Sequence, residues 1–226
     1  MHATTAKPLG VGPDVLKFCA SLQHSQASSI YEVMLNNDRY CLKVYHDNGD
    51  PGYAQDGRDL NRFRCEINAY GNLQVGGVCR KGVVPRYIGY IDQIDPALYR
   101  PHLDHFANDI NKPRGILLEF LPNTERLNCV NYSDNRFQVA MQGLKEIHQA
   151  KVLHNDPYPR NILIVHGDPE RIVWVDFDVS MSYSDSQLQD GRVQMWFEEE
   201  IKWAANFGSL LRKDQERGEA PNLKYY

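Results

Sequence analysis

The spacing of apolar positions changes along this chain, from a period of two in the first half to a helical period in the second. Over residues 17–35 alternating apolar residues predict two strands joined by the polar run 23–29. A turn at Asn36-Asn37-Asp38 leads to a third strand over 40–45. There Tyr40, Leu42 and Val44 share one face, and Cys41, Lys43 and Tyr45 share the other. Residues 46–57, rich in Asp, Gly, Asn and Pro, read as a loop. Asp59 is the expected cap of a helix in which Phe63, Ile67 and Tyr70 recur at helical spacing and Gly71 is the stop. A strand is expected over 83–91, a surface excursion over 92–114, and a buried strand over 115–120.

After Pro122 the composition changes. Ser133 or Asp134 caps a helix whose apolar stripe is Phe137, Ala140, Met141, Leu144 and Ile147. Residues 162–165 and 172–175 read as strands around the turn His166-Gly167-Asp168-Pro169. Helical character dominates over 193–211, with Val193, Trp196, Phe197, Ile201, Ala204, Ala205 and Leu211 directed to the core. Core packing is also the expectation for Trp203, with an acceptor-binding wall as the alternative for Trp196 and Trp203. Residues 1–13 read as an irregular lead-in, and the chain from Gly218 as a frayed polar tail.

With 42% hydrophobic and 11% aromatic residues among 226, the chain has enough apolar surface for a packed core. The net charge of -4, with both signs interspersed, argues against a nucleic-acid binder held by phosphate electrostatics. The longest acidic run, Glu198-Glu199-Glu200, reads as a solvated helix face. Five cysteines without a Cys-x-x-Cys pair indicate reduced thiols. The first twenty residues lack the apolar core of a signal peptide, and no stretch reaches membrane-spanning length. A cytoplasmic or nuclear, non-secreted protein without membrane contact is therefore expected. His102 and His105 lie three apart, but no third ligand is near them in sequence, which argues against zinc.

Two acidic motifs carry the chemistry. His154-Asn155-Asp156-Pro157-Tyr158-Pro159-Arg160-Asn161 places a carboxylate and a carboxamide on one tight loop. Val173-Trp174-Val175-Asp176-Phe177-Asp178 adds a carboxylate at the end of an apolar strand, where a buried unpaired charge would be costly. Lys43 sits mid-strand, where an ammonium is tolerated if it meets anions.

The spacing Asp156-x-x-x-x-Asn161, followed by Asp176-Phe177-Asp178, resembles the protein-kinase-like superfamily over roughly residues 20–180. The loop motif is most similar to the aminoglycoside and choline phosphotransferase branch and to small fungal kinase-like proteins. The resemblance implies an α+β, bilobal kinase-like fold: an antiparallel-sheet N-lobe over 14–121 and a truncated, mostly helical C-lobe over 122–226. It implies ATP and Mg2+ as cofactors. Asp156 would orient or deprotonate the acceptor hydroxyl, Asn161 and Asp176 would hold the metal, and Lys43, steadied by Glu66, would bind the α- and β-phosphates. Cys41 and Leu163 would enclose the nucleobase, and backbone groups of Glu119 and Leu121 would bond its edge. His154 would support the loop, and Asp178 would act as a cap or hydrogen-bonding partner for it.

The pattern departs from that family in two places. No Gly-x-Gly-x-x-Gly precedes Lys43, and the corresponding run Ser25-Gln26-Ala27-Ser28-Ser29 has no glycine. No Ala-Pro-Glu motif follows Asp178, and the remaining residues hold one or two helices. The implied function is ATP-dependent phosphotransfer to a hydroxyl, on a small molecule or else a protein. The alternative is a catalytically inactive kinase-like module acting through a protein partner. Nucleotidyl transfer would use the same residues with the nucleotide reversed.

Overall fold

The computed structural model describes residues 8–10, 12 and 15–222. The lead-in expected over 1–13 falls mostly outside the described residues, as do 223–226 of the tail. Strand β1 (Leu16–His24) turns through Ser25-Gln26-Ala27 into β2 (Ser28–Leu35). Asn36 and Asn37 then both take positive φ (51° and 70°), the backbone a two-residue hairpin needs and asparagine tolerates. They lead into β3 (Asp38–Tyr45).

Helix α1 (Arg62–Val75) starts later and ends later than the sequence pattern indicates. Its cap is Asn61, whose side chain accepts the N–H of Arg64 at 3.0 Å; Asp59 instead accepts the N–H of Asn61 and binds the Arg64 guanidinium. Gly71 lies buried inside the helix, and the chain turns at Gly76-Gly77, where Gly77 has φ 76°. One interior glycine costs about 1 kcal/mol, less than burial of the neighbouring Tyr70 and Leu73 returns.

A short helix, α2 (Val78–Lys81), precedes β4 (Tyr87–Ile91). Strand β4 begins beyond Pro85, which has no N–H for a ladder. Strand β5 (Arg114–Glu119) completes a five-stranded antiparallel sheet of order β1-β2-β3-β5-β4. The excursion between β4 and β5 is more than surface: two 3-10 turns, Pro96–Tyr99 and Asp104–Phe106, carry Tyr99, Leu103 and Phe106 into a core. The outer sheet face (Tyr31, Val33, Leu42, Val44, Leu117) is apolar, so it needs such a cover.

The second half holds β6 (Thr124–Arg126), α3 (Asp134–Gln149), β7 (Val152–Leu153), β8 (Ile162–Val165), β9 (Arg171–Trp174), β10 (Met181–Ser182) and α4 (Gly191–Arg217). Strands β6, β8 and β9 form a second antiparallel sheet, and β7 pairs with β10. Helix α3 is capped by Ser133, and α4 ends on Gly218 at φ 68°. The two helices approach so closely that a Cβ on Gly208 would lie 2.3 Å from the Phe137 ring. One apolar cluster runs from Phe63 and Tyr70 through Phe177 and Trp174 to Ala204 and Leu211, so α4 closes the core beneath the loops. Ala205 and Trp203, both expected inside, are exposed; α4 shows the core a narrower face than its apolar content suggests.

The architecture is α+β, built on a five-stranded antiparallel sheet. Among the described residues no helix is long and apolar enough to cross a membrane.

Candidate functional site

Lys43 lies on β3, which has β2 on one side and β5 on the other. Its side chain is buried and points at three acids from two parts of the chain. Nζ lies 2.8 Å from Glu66 on α1, 2.5 Å from Asp176 and 3.5 Å from Asp178, both just after β9. The Tyr45 hydroxyl also donates to Glu66. Arg62 Nη1 reaches both Asp178 oxygens at 3.0 Å. Three carboxylates thus face two cations, a grouping that offsets much of the cost of burying each charge. Burial alone would lower the pKa of Lys43, but Glu66, Tyr45, Asp176 and Asp178 together hold it well above the usual lysine range. Burial would likewise raise Asp176, yet the Lys43 ammonium beside it keeps its carboxyl below the ordinary value.

The loop between β7 and β8 is built from its own main chain. Tyr158 N–H donates to Asp156 O (2.8 Å) and Asn161 N–H to Tyr158 O (2.9 Å), forming the turn Pro159–Asn161. Val175 N–H donates to Asn161 O at 2.9 Å, which ties the Asp176 segment to this loop. Asn161 Nδ2 bonds both the main-chain oxygen and Oδ2 of Asp156 at 2.8 Å. Arg160 Nη2 is 3.1 Å from both Asp156 carboxylate oxygens. His154 is fully buried; its Nε2–H donates to Val175 O at 3.1 Å, and its ring packs on Trp174 and Phe177. Asn155 (φ 63°) and Asp176 (φ 69°) both hold left-handed backbone, which Asn and Asp adopt more readily than other residues with a side chain.

The loop rests on a residue that the sequence pattern alone places on a solvated face. Glu200 of α4 is buried, and its carboxylate accepts from His154 N–H (3.1 Å), Asn155 N–H (2.5 Å) and His148 Nε2 (2.6 Å). Glu198 and Glu199 are exposed as expected. Nothing in an acidic triplet marks its third member as inward. The available signal was helical phase, since Glu200 lies four residues before the buried Ala204.

These elements surround a cavity of about 640 Å³, within the usual range for small-molecule sites. Cys41, Lys43, Glu66, Glu119, Leu121, Asn161, Leu163 and Asp176 all line it; Asp156 does not, although its partners Arg160 and Asn161 do. Glu119 differs in detail from the expectation. Its main-chain N–H is spent on Arg86 O (2.9 Å) and its side chain on Arg171 (2.9 Å), so a base-edge contact from this residue falls to its carbonyl. The turn Ser25-Gln26-Ala27 borders the cavity and is closed on itself. Ser25 N–H donates to Ser28 O (2.9 Å), and Ser25 Oγ accepts from Ala27 N–H (3.2 Å) and Ser28 N–H (3.0 Å).

A second cavity, of about 500 Å³, is bordered by Asn155 and Pro157, the neighbours of Asp156, and by Asp56, Trp196, Glu199 and Trp203. Asp156 thus stands between two cavities, with its hydrogen-bond partners bordering one and its chain neighbours the other. All five cysteines are free. No family model matches the chain, and no curated protein matches it.

Proposed function

We propose that this chain is an ATP- and magnesium-dependent phosphotransferase of the kinase-like type, acting on a hydroxyl acceptor. The observation that carries this reading is convergence: Lys43, Asn161 and Asp176, far apart in sequence, line one cavity, with Asp156 hydrogen-bonded to Asn161 at its border. On this reading the described residues up to 121 belong to the N-lobe and those from 122 to the C-lobe. Cys41 and Leu163 flank the base, and Lys43, still paired with Glu66, would meet the phosphates.

The donor set fits magnesium. Hard cations take oxygen ligands, and a Mg2+ ion in such sites uses one or two carboxylates completed by phosphate and water. Asp176 supplies carboxylate oxygen, and Asn161 keeps its carbonyl oxygen because its nitrogen makes both bonds to Asp156. Among the described residues no group of three or more His, Cys, Asp or Glu is arranged to hold a metal ion. When bound, the metal would neutralise charge on the transferred phosphoryl group.

Asp156 would orient the acceptor hydroxyl and take its proton. The acceptor oxygen bonds to the terminal phosphorus as the bond from that phosphorus to the bridging oxygen breaks, and ADP leaves. The acceptor would lie in the second cavity, which reaches the neighbours of Asp156.

The test is calorimetric titration of Mg-ATP, followed by ADP release across a library of hydroxyl compounds. Binding by the wild type and its loss in Asp176→Ala are expected. Absence of Mg-ATP binding, or equal binding by Asp176→Ala, defeats the reading. A second reading, a kinase-like binding module without catalysis, is favoured by the self-closed turn Ser25-Gln26-Ala27, which spends amides that would otherwise meet phosphate. Nucleotide binding with no turnover on any acceptor, small molecule or protein, would support it.

A further inference from the structure

The self-closed turn raises a physical question: what holds the outer phosphate? The N–H groups of Ser25, Ala27 and Ser28 are engaged within the turn. Of the amides in this turn that leaves Gln26, so most of the charge has to come from side chains. Four cations line the cavity: Lys43, Arg62, Arg126 and Arg160. Lys43 is buried among three acids, and Arg62 is committed to both oxygens of Asp178. Arg126 lies on β6 and bonds Gln23 of β1 at 2.8 Å, away from the acidic cluster.

Arg160 differs from Lys43 and Arg62 in its unspent donors, and from Arg126 in standing in the loop beside Asp156 and Asn161. It precedes Asn161 in the loop, and its side chain is 35% exposed. It touches Asp156 through one nitrogen only, Nη2, at 3.1 Å to each oxygen. A guanidinium has five N–H donors in a planar fork, so most of its capacity is unspent. Its carbon sits 4.5 Å from the centre of the Tyr158 ring, a cation–π contact that helps to hold the guanidinium in place.

We propose that Arg160 clamps the terminal phosphate of the nucleotide, serving in place of main-chain amides, and that it leaves Asp156 to do so. This rests on the phosphotransferase reading and deepens it. Phosphate carries more charge than a carboxylate and accepts two parallel N–H bonds from arginine, so it competes well for the fork. Asp156 then keeps the bond from Asn161 and loses its cation. Filling the nucleotide site thereby frees the carboxylate that meets the acceptor.

The test is equilibrium binding of Mg-ATP, Mg-ADP and AMP to the wild type, Arg160→Gln, Arg160→Lys and Asp156→Asn. Arg160→Gln should weaken Mg-ATP by about ten- to a hundred-fold, the range for one charged hydrogen-bonding group, and leave Mg-ADP and AMP nearly unchanged. Arg160→Lys should recover part of the loss. Asp156→Asn should tighten Mg-ATP, a gain that no misfolded variant can show, and the gain should vanish when combined with Arg160→Gln. Wild-type binding of Mg-ATP matched by Arg160→Gln would overturn the clamp and leave the phosphotransferase reading standing. Failure of the wild type to bind any of the three would end both.

Discussion

The Glu200 carboxylate accepts the main-chain N–H of Asn155 at 2.5 Å, from a helix that begins more than thirty residues further along the chain. The same group takes the N–H of His154 and the ring of His148. One buried acid therefore holds two successive amides of the loop that carries Asp156. Asn155 sits in left-handed backbone, and its N–H is one of the two that Glu200 fixes. Glu200→Gln keeps the shape but loses the charge and places an amide where three donors converge. It should lower stability by about 2 kcal/mol, the scale of a buried hydrogen bond to a charged group. Any phosphotransfer should fall further than nucleotide binding does, because displacement of a catalytic group by about 1 Å can cost about a hundred-fold. Urea unfolding and paired binding and rate measurements check this. A variant as stable as the wild type would show that the anchor is dispensable.

Lys43 balances three carboxylates, so its removal should be felt in the fold as well as in binding. Lys43→Met leaves Glu66, Asp176 and Asp178 with Arg62 alone. Breaking a buried pair costs about 3–5 kcal/mol, and the partial exposure of Asp176 places this case at the lower end. Adding Glu66→Leu should return part of the loss, since an apolar pair can replace a buried ionic one at little cost. Denaturant midpoints of the two variants provide the check. If the single variant unfolds at the wild-type midpoint, the cluster does not bear on stability.

Strand β3 was legible because the period of two from Tyr40 to Tyr45 separates two buried faces, Leu42 and Val44 under the outer cover and Lys43 and Tyr45 toward the cavity side, and the loop motif was legible because Asp156 and Asn161 are close in sequence. The failures have physical causes. Thr124, Glu125 and Arg126 form β6 with every side chain exposed, so no periodicity betrays the strand. Gly71 was a stop by composition, but burial of its neighbours outweighs one glycine's cost. Glu200 and Arg160 act through partners fixed by tertiary structure: His148 lies 52 residues from Glu200, and Arg160 matters only because its side chain borders the cavity.

Trp203 separates the two roles open to the last helix. Its side chain is 55% exposed and borders the second cavity, 6.1 Å from the Tyr158 ring between centroids. An exposed indole contributes little to the core, so Trp203→Ala should shift stability by about 0.5 kcal/mol or less. If the second cavity takes the acceptor, the same change should raise KM for the acceptor and leave the affinity for nucleotide intact. Trp174, 1% exposed with its Nε1–H on Ala140 O, should by contrast cost about 3–5 kcal/mol when cut to alanine. A large loss of stability in Trp203→Ala would return that residue to the core.

The buried thiols and phenols set a direction for the pH dependence. Burial pushes Cys41 and Cys65 up to about 12 and Cys79 to about 11, from an ordinary value of 9.0. It also raises Tyr45 and Tyr70 well above the ordinary 10.0. In each case the folded chain keeps a proton that the unfolded chain releases first. Stability is then fully present below pH 9 and is lost as pH rises from there toward 12, because the unfolded state binds fewer protons in that window. Lys43 acts in the same sense, since its acids hold the proton past the value at which a free lysine gives it up. The melting temperature should be nearly flat from pH 7 to about 8.5 and fall progressively above pH 9. The thiols report the same physics one by one. At pH 8 a thiol with a pKa of about 12 is ionised in about one molecule in ten thousand, and the thiolate is the form that alkylates. Brief iodoacetamide treatment of the native protein should therefore modify the exposed Cys19 and spare Cys41, Cys65, Cys79 and Cys129, as read by peptide mass spectrometry. Rapid labelling of Cys41 would show that its thiol is neither shielded nor held neutral, and a melting temperature unchanged at pH 10.5 would contradict the whole set.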